Sequence, residues 1–332
     1  AGSTVSVFVD GGTTPVCTAV VTAGGTWSCT PSTAITDGTH TLTATASDPA
    51  GNTSGTSASV AVTVDTSAPS APVISTPVDN AQLSDSTPAV SGTGEAGATV
   101  SVFVDGSSTA ACTATVASDN SWSCNVGAAL SDGAHTLTAS QVDAANNTSP
   151  TSASVAITID TAAPSSVVIT TPTAGELLAT SPTITGTADV GTTVTVFLDG
   201  STTATCTVIV PASGTWSCAT TLADGAHSAS AVSTDAAGNA TAPATVSFEL
   251  DSAAPVAPVI TAPTEGGISA TSTTFSGTAE ANSTVRVYVD GSSTEACTAQ
   301  ASSTGAWACV ANNLAVGAHT ATAAAQDATG NT

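Results

Sequence analysis

Residues Thr99 to Cys124 read TVSVFVDGSSTAACTATVASDNSWSC. The first six alternate, with Val100, Val102 and Val104 on one parity. Side chains of a strand point to opposite faces in turn, so this alternation predicts a strand with one buried face. Asp105-Gly106 follows it. Such a pair accepts positive φ and marks a tight turn. Cys112 and Cys124 then stand 12 positions apart, with Trp122 two before the second cysteine.

The same stretch recurs from Thr4 to Cys29, from Thr193 to Cys218 and from Thr284 to Cys309. The first cysteines, Cys17, Cys112, Cys206 and Cys297, are 95, 94 and 91 residues apart. Each is followed at the same distance by its partner, Cys29, Cys124, Cys218 or Cys309. Further columns keep the same step: Asp10, Asp105, Asp199 and Asp290, then His40, His135, His227 and His319. A fixed period of this kind is the mark of a tandem array and comes before any other reading of the fold. The expected repeats are residues 1–65, 66–160, 161–251 and 252–332. Repeat 1 lacks the opening strands of the unit and repeat 4 lacks the closing one. This suggests either a window from a longer repetitive chain or a subunit whose end units are completed by neighbours.

Repeat 2 serves as the template. Strands are predicted over 71–74, 88–93, 99–104, 111–116, 121–124, 135–139 and 152–159. Seven short strands, with turn signals every 8–12 residues and no helical period, predict an immunoglobulin-like sandwich of two antiparallel sheets. The fold expected is therefore all-β: a tandem array of seven-stranded sandwiches. Short joints with proline (Asp65 to Pro69, Asp160 to Pro164, Asp251 to Pro255) restrain the backbone and favour an extended rod.

The paired cysteines read as one disulfide per repeat, closing a single hairpin, with an intermolecular bridge as the competing reading. Opposed residues on neighbouring strands come close enough for a bridge. On this reading the disulfide differs from that of antibody domains, which joins two sheets. A zinc site would use spacings of two to four residues, and no odd cysteine is left over as a catalytic thiol. Even pairing points to an oxidising, extracytoplasmic setting.

Composition excludes several classes. The 332 residues carry one Lys or Arg, Arg286, against 24 Asp and Glu, a formal net charge of −23. A nucleic-acid partner needs a basic footprint, and an anionic membrane surface would repel this chain. No apolar run approaches the roughly 20 residues of a membrane span. No basic-then-apolar leader opens the sequence as given.

The histidine column reads as structural, at a strand start. No nucleophile-elbow or zinc-helix motif accompanies it, so no catalytic residues are expected. Val316 stands where Asp37, Asp132 and Asp224 precede the other histidines, which argues against an Asp–His pair. The acidic columns carry two readings. Asp48, Asp143 and Asp235, with Asp65, Asp160 and Asp251 at the joints, would supply oxygen ligands for Ca²⁺ at repeat junctions. Alternatively, they fold onto local backbone as turn residues. Asn52, Asn146, Asn147, Asn239 and Asn282 stand in glycosylation frames, which are common by chance in a Thr-rich chain.

The Asp-Gly-x-His-Thr segments, the Asp-x-x-Gly-Asn turns and the Asp-Thr-x-Ala-Pro joints resemble tandem bacterial Ig-like repeats. Such repeats belong to large secreted or cell-surface adhesins, fibres and biofilm proteins. The resemblance implies a non-enzymatic extracellular structural segment, a stalk or self-assembling filament, whose partners are neighbouring repeats or other copies. The alternatives are a glycan- or host-surface-binding module and an accessory array of a secreted enzyme.

Overall fold

The computed structural model describes residues 1–267 and 269–332. It divides into two compact units, Ala1–Thr161 and Ala162–Thr332, each treated by itself. In the first unit, repeat 1 contributes β1 (Thr4–Val9), β2 (Cys17–Val20), β3 (Gly38–Ser47) and β4 (Val60–Val64). They form one sheet in the order β2-β1-β3-β4. Repeat 2 contributes β5 (Val73–Thr76), β6 (Ala81–Leu83), β7 (Ala89–Thr93), β8 (Thr99–Val104), β9 (Cys112–Thr115), β10 (Ser121–Asn125), β11 (Gly133–Val142) and β12 (Val155–Ile159). These make a three-stranded sheet, β10-β7-β5, facing a five-stranded one, β6-β12-β11-β8-β9.

In the second unit, repeat 3 has the same eight strands: β13 (Val167–Thr171), β14 (Leu177–Leu178), β15 (Thr183–Ala188), β16 (Thr193–Leu198), β17 (Cys206–Ile209), β18 (Thr215–Ala219), β19 (Gly225–Thr234) and β20 (Ala244–Leu250). Their sheets run β13-β15-β18 and β14-β20-β19-β16-β17. Repeat 4 has β21 (Val259–Ala262), β22 (Thr273–Thr278), β23 (Thr284–Val289), β24 (Glu295–Gln300), β25 (Ala306–Ala311) and β26 (Ala321–Gln326), in the sheets β21-β22-β25 and β24-β23-β26.

The sandwich is as expected, but each full repeat has eight strands rather than seven. The addition is β6, which pairs parallel with β12 through Ala81↔Ile157 to Leu83↔Ile159. The opening strand stops at Thr76, before Pro77, which has no N–H for a ladder. It resumes on the opposite sheet. Three residues are too short a run to show a period, so the sequence carries little sign of β6.

The core is made largely of aliphatic side chains. Val100 and Val102 of β8, Leu137 and Ala139 of β11, and Ile157 and Ile159 of β12 are buried on one side of it. Val90 of β7 and Trp122 of β10 close it from the other. The Trp122 ring lies over Gly92. A Cβ at Gly92 would sit 3.0 Å from Trp122 Cζ2 and would strike the carbonyl oxygen of Val73. Gly186 and Gly277 stand in the same place under Trp216 and Trp307. The glycine column therefore admits both the indole and the close strand β5. Where no second sheet faces the first, as in repeat 1, Trp27 is 44% exposed against 4% for Trp122.

The four disulfides join Cys17–Cys29, Cys112–Cys124, Cys206–Cys218 and Cys297–Cys309, with Cα–Cα distances of 5.7–6.1 Å. Pairing within each repeat agrees with expectation, but the single hairpin does not. Cys112 pairs in its ladder with Val102, and Cys124 pairs with Val90, so in repeat 2 the two cysteines lie on different sheets. The corner at Ala117–Asn120 is closed by Asn120 N donating to Ala117 O at 3.0 Å. It carries the chain across the edge of the sandwich, and the bridge ties the sheets together there. The contrast drawn with the inter-sheet bond of antibody domains therefore falls. A separation of 12 fits a hairpin or a corner equally well, and only the hydrogen-bond partners of the two arms distinguish them.

Two outcomes follow. Gly92→Ala should destabilise repeat 2 by about 1–3 kcal/mol, the usual cost of overpacking, read as an early transition in chemical denaturation of the whole chain. Reduction of the disulfides should cost each complete repeat on the order of 3 kcal/mol. Denaturation midpoints unchanged by a reductant would contradict the bracing role of the bridge.

Candidate functional site

The candidate site is the joint between repeats, because the acidic columns of the sequence gather their hydrogen bonds there. Asp143 follows β11. Its Oδ1 accepts from the backbone N–H of Ala145 at 2.8 Å and of Asn147 at 2.9 Å. Its Oδ2 accepts from the Asn147 amide at 2.8 Å. Asp and Asn side chains favour such local backbone bonds in turns. Hydrogen bonding from the Asn147 side chain, ahead of the backbone bonds, holds the Asp143 carboxyl below the usual carboxylate range.

The amide so oriented has a second donor. Asn147 Nδ2 also donates to the carbonyl of Asp65, 3.0 Å away in the joint that follows repeat 1. Repeat 4 does the same: Asn331 Nδ2 donates to Asp327 Oδ2 at 2.9 Å and to the Asp251 carbonyl at 2.8 Å. Asp48 with Asn52 and Asp235 with Asn239 build the same turn.

The preceding repeat grips the same joint from its own side. Asp37 Oδ1 accepts from the N–H and hydroxyl of Thr66 at 3.0 and 2.8 Å. Asp132 holds Thr161 in this way, and Asp224 holds Ser252. Further donors and acceptors come from the following repeat. Gln141, fully buried, donates to Ser70 O at 2.8 Å and accepts from Glu95 N at 3.0 Å. Asp189 accepts from the N–H and hydroxyl of Ser165. Glu280 accepts from Val256 N at 3.1 Å. Within the first unit the joint between repeats 1 and 2 is held at both ends, which leaves that backbone segment little freedom to bend.

The six residues read as possible calcium ligands are thus placed as follows. Asp48, Asp143 and Asp235 cap their own turns. Asp65 and Asp251 accept from Ser67 N and Ala253 N through Oδ1 and offer their carbonyls to the asparagines. Asp160 follows β12, its N–H bonded to Leu83 O. Among the described residues no three His, Cys, Asp or Glu side chains gather into a group that could hold a metal ion.

The histidines have partners that the sequence reading passed over. His40 Nδ1 lies 2.7 Å from Asp10 Oδ2, and His135, His227 and His319 stand 2.7, 2.9 and 2.6 Å from Asp105, Asp199 and Asp290. The loss of the acid at Val316 is therefore no argument against an Asp–His pair, because the partner comes from the Asp-Gly turn about 30 residues earlier. The legible signal was that both columns recur in all four repeats in step.

No helix among the described residues is long and apolar enough to cross a membrane. The fold defines a class: tandem Ig-like sandwiches. The chain belongs to the bacterial Ig-like domain family, which matches residues 1–66, 76–161, 178–252 and 261–332. Comparison with curated proteins yields no match. Among solved structures it is similar to a tetra-tandem repeat in the extending region of a large adhesion protein. The identity is 24% and the TM-score 0.34, over 99% of this chain and 89% of that one. Fibronectin(III)-like modules of CbhA from Clostridium thermocellum are similar at 19% identity and a TM-score of 0.41, over 54% of this chain and 94% of that one. The BSP domain of a biofilm-associated protein is similar at 16% identity and a TM-score of 0.23, over 71% of this chain and 46% of that one.

Asn147→Ala removes the clasp on Asp65 and should loosen the joint by about 1 kcal/mol, one net hydrogen bond. Hydrogen–deuterium exchange of residues 66–70 should then quicken roughly fivefold, with β8 and β11 unchanged. Equal exchange in the joint would show that the clasp contributes nothing.

Proposed function

We propose that the chain is a spacer segment of a bacterial extracellular adhesion or biofilm protein, with no catalytic activity of its own. The observation that carries this reading is the two-sided joint. Asp37 grips Thr66 from one repeat, while Asn147 and Gln141 grip Asp65 and Ser70 from the next. A spacer has to transmit position along its length, and a bonded joint does so better than a free linker. Family membership supports the same reading.

An extracellular setting is supported by the disulfides, which persist where thiols are oxidised. It is also supported by how little the chain offers to a protease of basic specificity. Arg286, its one Lys or Arg, lies within β23 between β24 and β26, with Nε 3.3 Å from Glu295. The stalk form of the proposal has chains standing singly, and the fibre form has them associating. A net charge far from zero opposes association, which favours the stalk. A surface-glycan or host ligand and service beside a secreted enzyme are the competing readings. Calcium at the junctions would be an added stiffener.

Small-angle scattering of the whole chain tests these forms. A monomer with a maximum dimension on the order of 100–140 Å, from strand rise and loops, is the expected result. A compact particle would sink the spacer reading, and growth with concentration would favour the fibre over the stalk. A melting temperature lowered by EDTA would add calcium to the proposal, and an unchanged one would remove it.

A further inference from the structure

We infer that His40, His135, His227 and His319 are held as imidazolium cations, each bolting the Asp-Gly turn of its repeat to the start of the adjacent strand. Every histidine has acceptors on both sides. In repeat 1, Nδ1 faces Asp10 Oδ2 at 2.7 Å and Nε2 faces the Thr36 carbonyl at 2.7 Å. In the others Nε2 faces the carbonyl of Ser131, Ala223 or Ala315 at 2.7–2.8 Å. A carbonyl has no proton to give, so Nε2 must carry one. The aspartic acid is far stronger than imidazolium and is ionised near neutral pH, so Oδ2 is an acceptor too, while its other oxygen takes the backbone N–H of Thr41, Thr136, Ser228 or Thr320 at 2.8–2.9 Å. Nδ1 must then carry a proton as well. A neutral imidazole has one N–H and would set a lone pair against an oxygen on one side.

The turn is shaped for this use. Asp105 and Gly106 both take positive φ, 51° and 69°. That turns the carboxylate back toward the Ala134–Thr136 backbone. Two charge-assisted bonds, from His135 Nδ1 and from the Thr136 N–H, then cross to Asp105 from about 30 residues away, while Nε2 ties the ring to Ser131 four residues before it.

Few other charges face the ring. The turn ahead of each of the first three histidines holds Asp37, Asp132 or Asp224, whose carboxylate is occupied by Thr66, Thr161 or Ser252. Opposite, the ladder presents Val62, Ile157 and Phe248, none of which titrates. Glu249 is the acid nearest Phe248 along β20. His319 has Val316 in place of the acid and lies outside β26, and its side chain is 25% exposed against 11–12% for the rest.

The electrostatics point the same way. The Asp10 and Asp105 bonds are the leading cause raising His40 and His135 above 6.5. The Ala223 and Ala315 carbonyls lead for His227 and His319, followed by Asp199 and Asp290. The four aspartates are lowered from 3.8, led by backbone bonds from Thr41 and Ser228 at Asp10 and Asp199 and by the histidine at Asp105 and Asp290. A raised histidine stabilises fully below 6.5 and loses that effect as pH rises through its folded value. A lowered aspartate stabilises above 3.8 and loses that effect as pH falls through its folded value. The bolt is complete between those two ordinary values and weakens outside them. Four imidazolium charges added to −23 make the net charge −19.

The test is long-range ¹H–¹⁵N NMR of the whole chain labelled at histidine, from pH 5 to 10. At pH 7.5 four rings with both nitrogens protonated are expected, each titrating above the value found for the same chain in urea. His319 should deprotonate first. Asp105→Asn should cost His135 alone its imidazolium signature at pH 7.5, with the other three rings unmoved. A neutral tautomer at pH 7.5 in the wild-type chain would overturn the inference. So would an Asp105→Asn variant in which His135 stays charged. If that variant does not fold, the wild-type titration decides alone.

Discussion

One indole lying on one glycine is the contact on which the sandwiches of repeats 2, 3 and 4 depend. With aromatic residues at 3% of the chain, Trp122, Trp216 and Trp307 are the largest side chains between the sheets. They fit because Gly92, Gly186 and Gly277 leave room for the ring and for the neighbouring strand at once. The disulfide stands beside this contact and ties the two sheets at the corner where the chain crosses between them. Valines and alanines, with a few isoleucines, leucines and phenylalanines, fill the remaining space at strand spacing. A core of small side chains buries limited apolar area per residue, so bridging and close packing carry a large share of its order.

Polar side chains do the complementary work outside the core. Carboxylates outnumber lysine and arginine 24 to 1, yet many of them face backbone N–H groups rather than bases. Asp143 caps its own turn, Asp37 grips a joint and Asp10 holds the start of β3. In each case the acid replaces water as the acceptor of an otherwise unpaired N–H. The same surface that gives the chain its charge thereby gives it defined turns and joints. The histidines belong to this scheme as the one recurring basic group.

Much of the design was legible in the sequence. Alternation at Val100, Val102 and Val104 implies a half-buried strand wherever it occurs, and the period of the cysteines implies a tandem array. Trp122 and Cys124, two residues apart on one strand, share a parity, and both lie against the core. The signals that failed were those for partners chosen across space. Cys112 and Cys124 read equally well as arms of a hairpin or of a corner. Ala81–Leu83 is too short to show a period. Asp105 and His135 are separated by 30 residues, and Asn147 and Asp65 by 82.

The sequence by itself determined the all-β character, the repeat and the acidic character, because each is local or periodic along the chain. Only the tertiary structure decided which sheet each arm of the disulfide joins, which acid meets each histidine and which amide closes the joints at Asp65 and Asp251. Those choices depend on hydrogen-bond directions between segments far apart in sequence, and a one-dimensional pattern holds no information about direction.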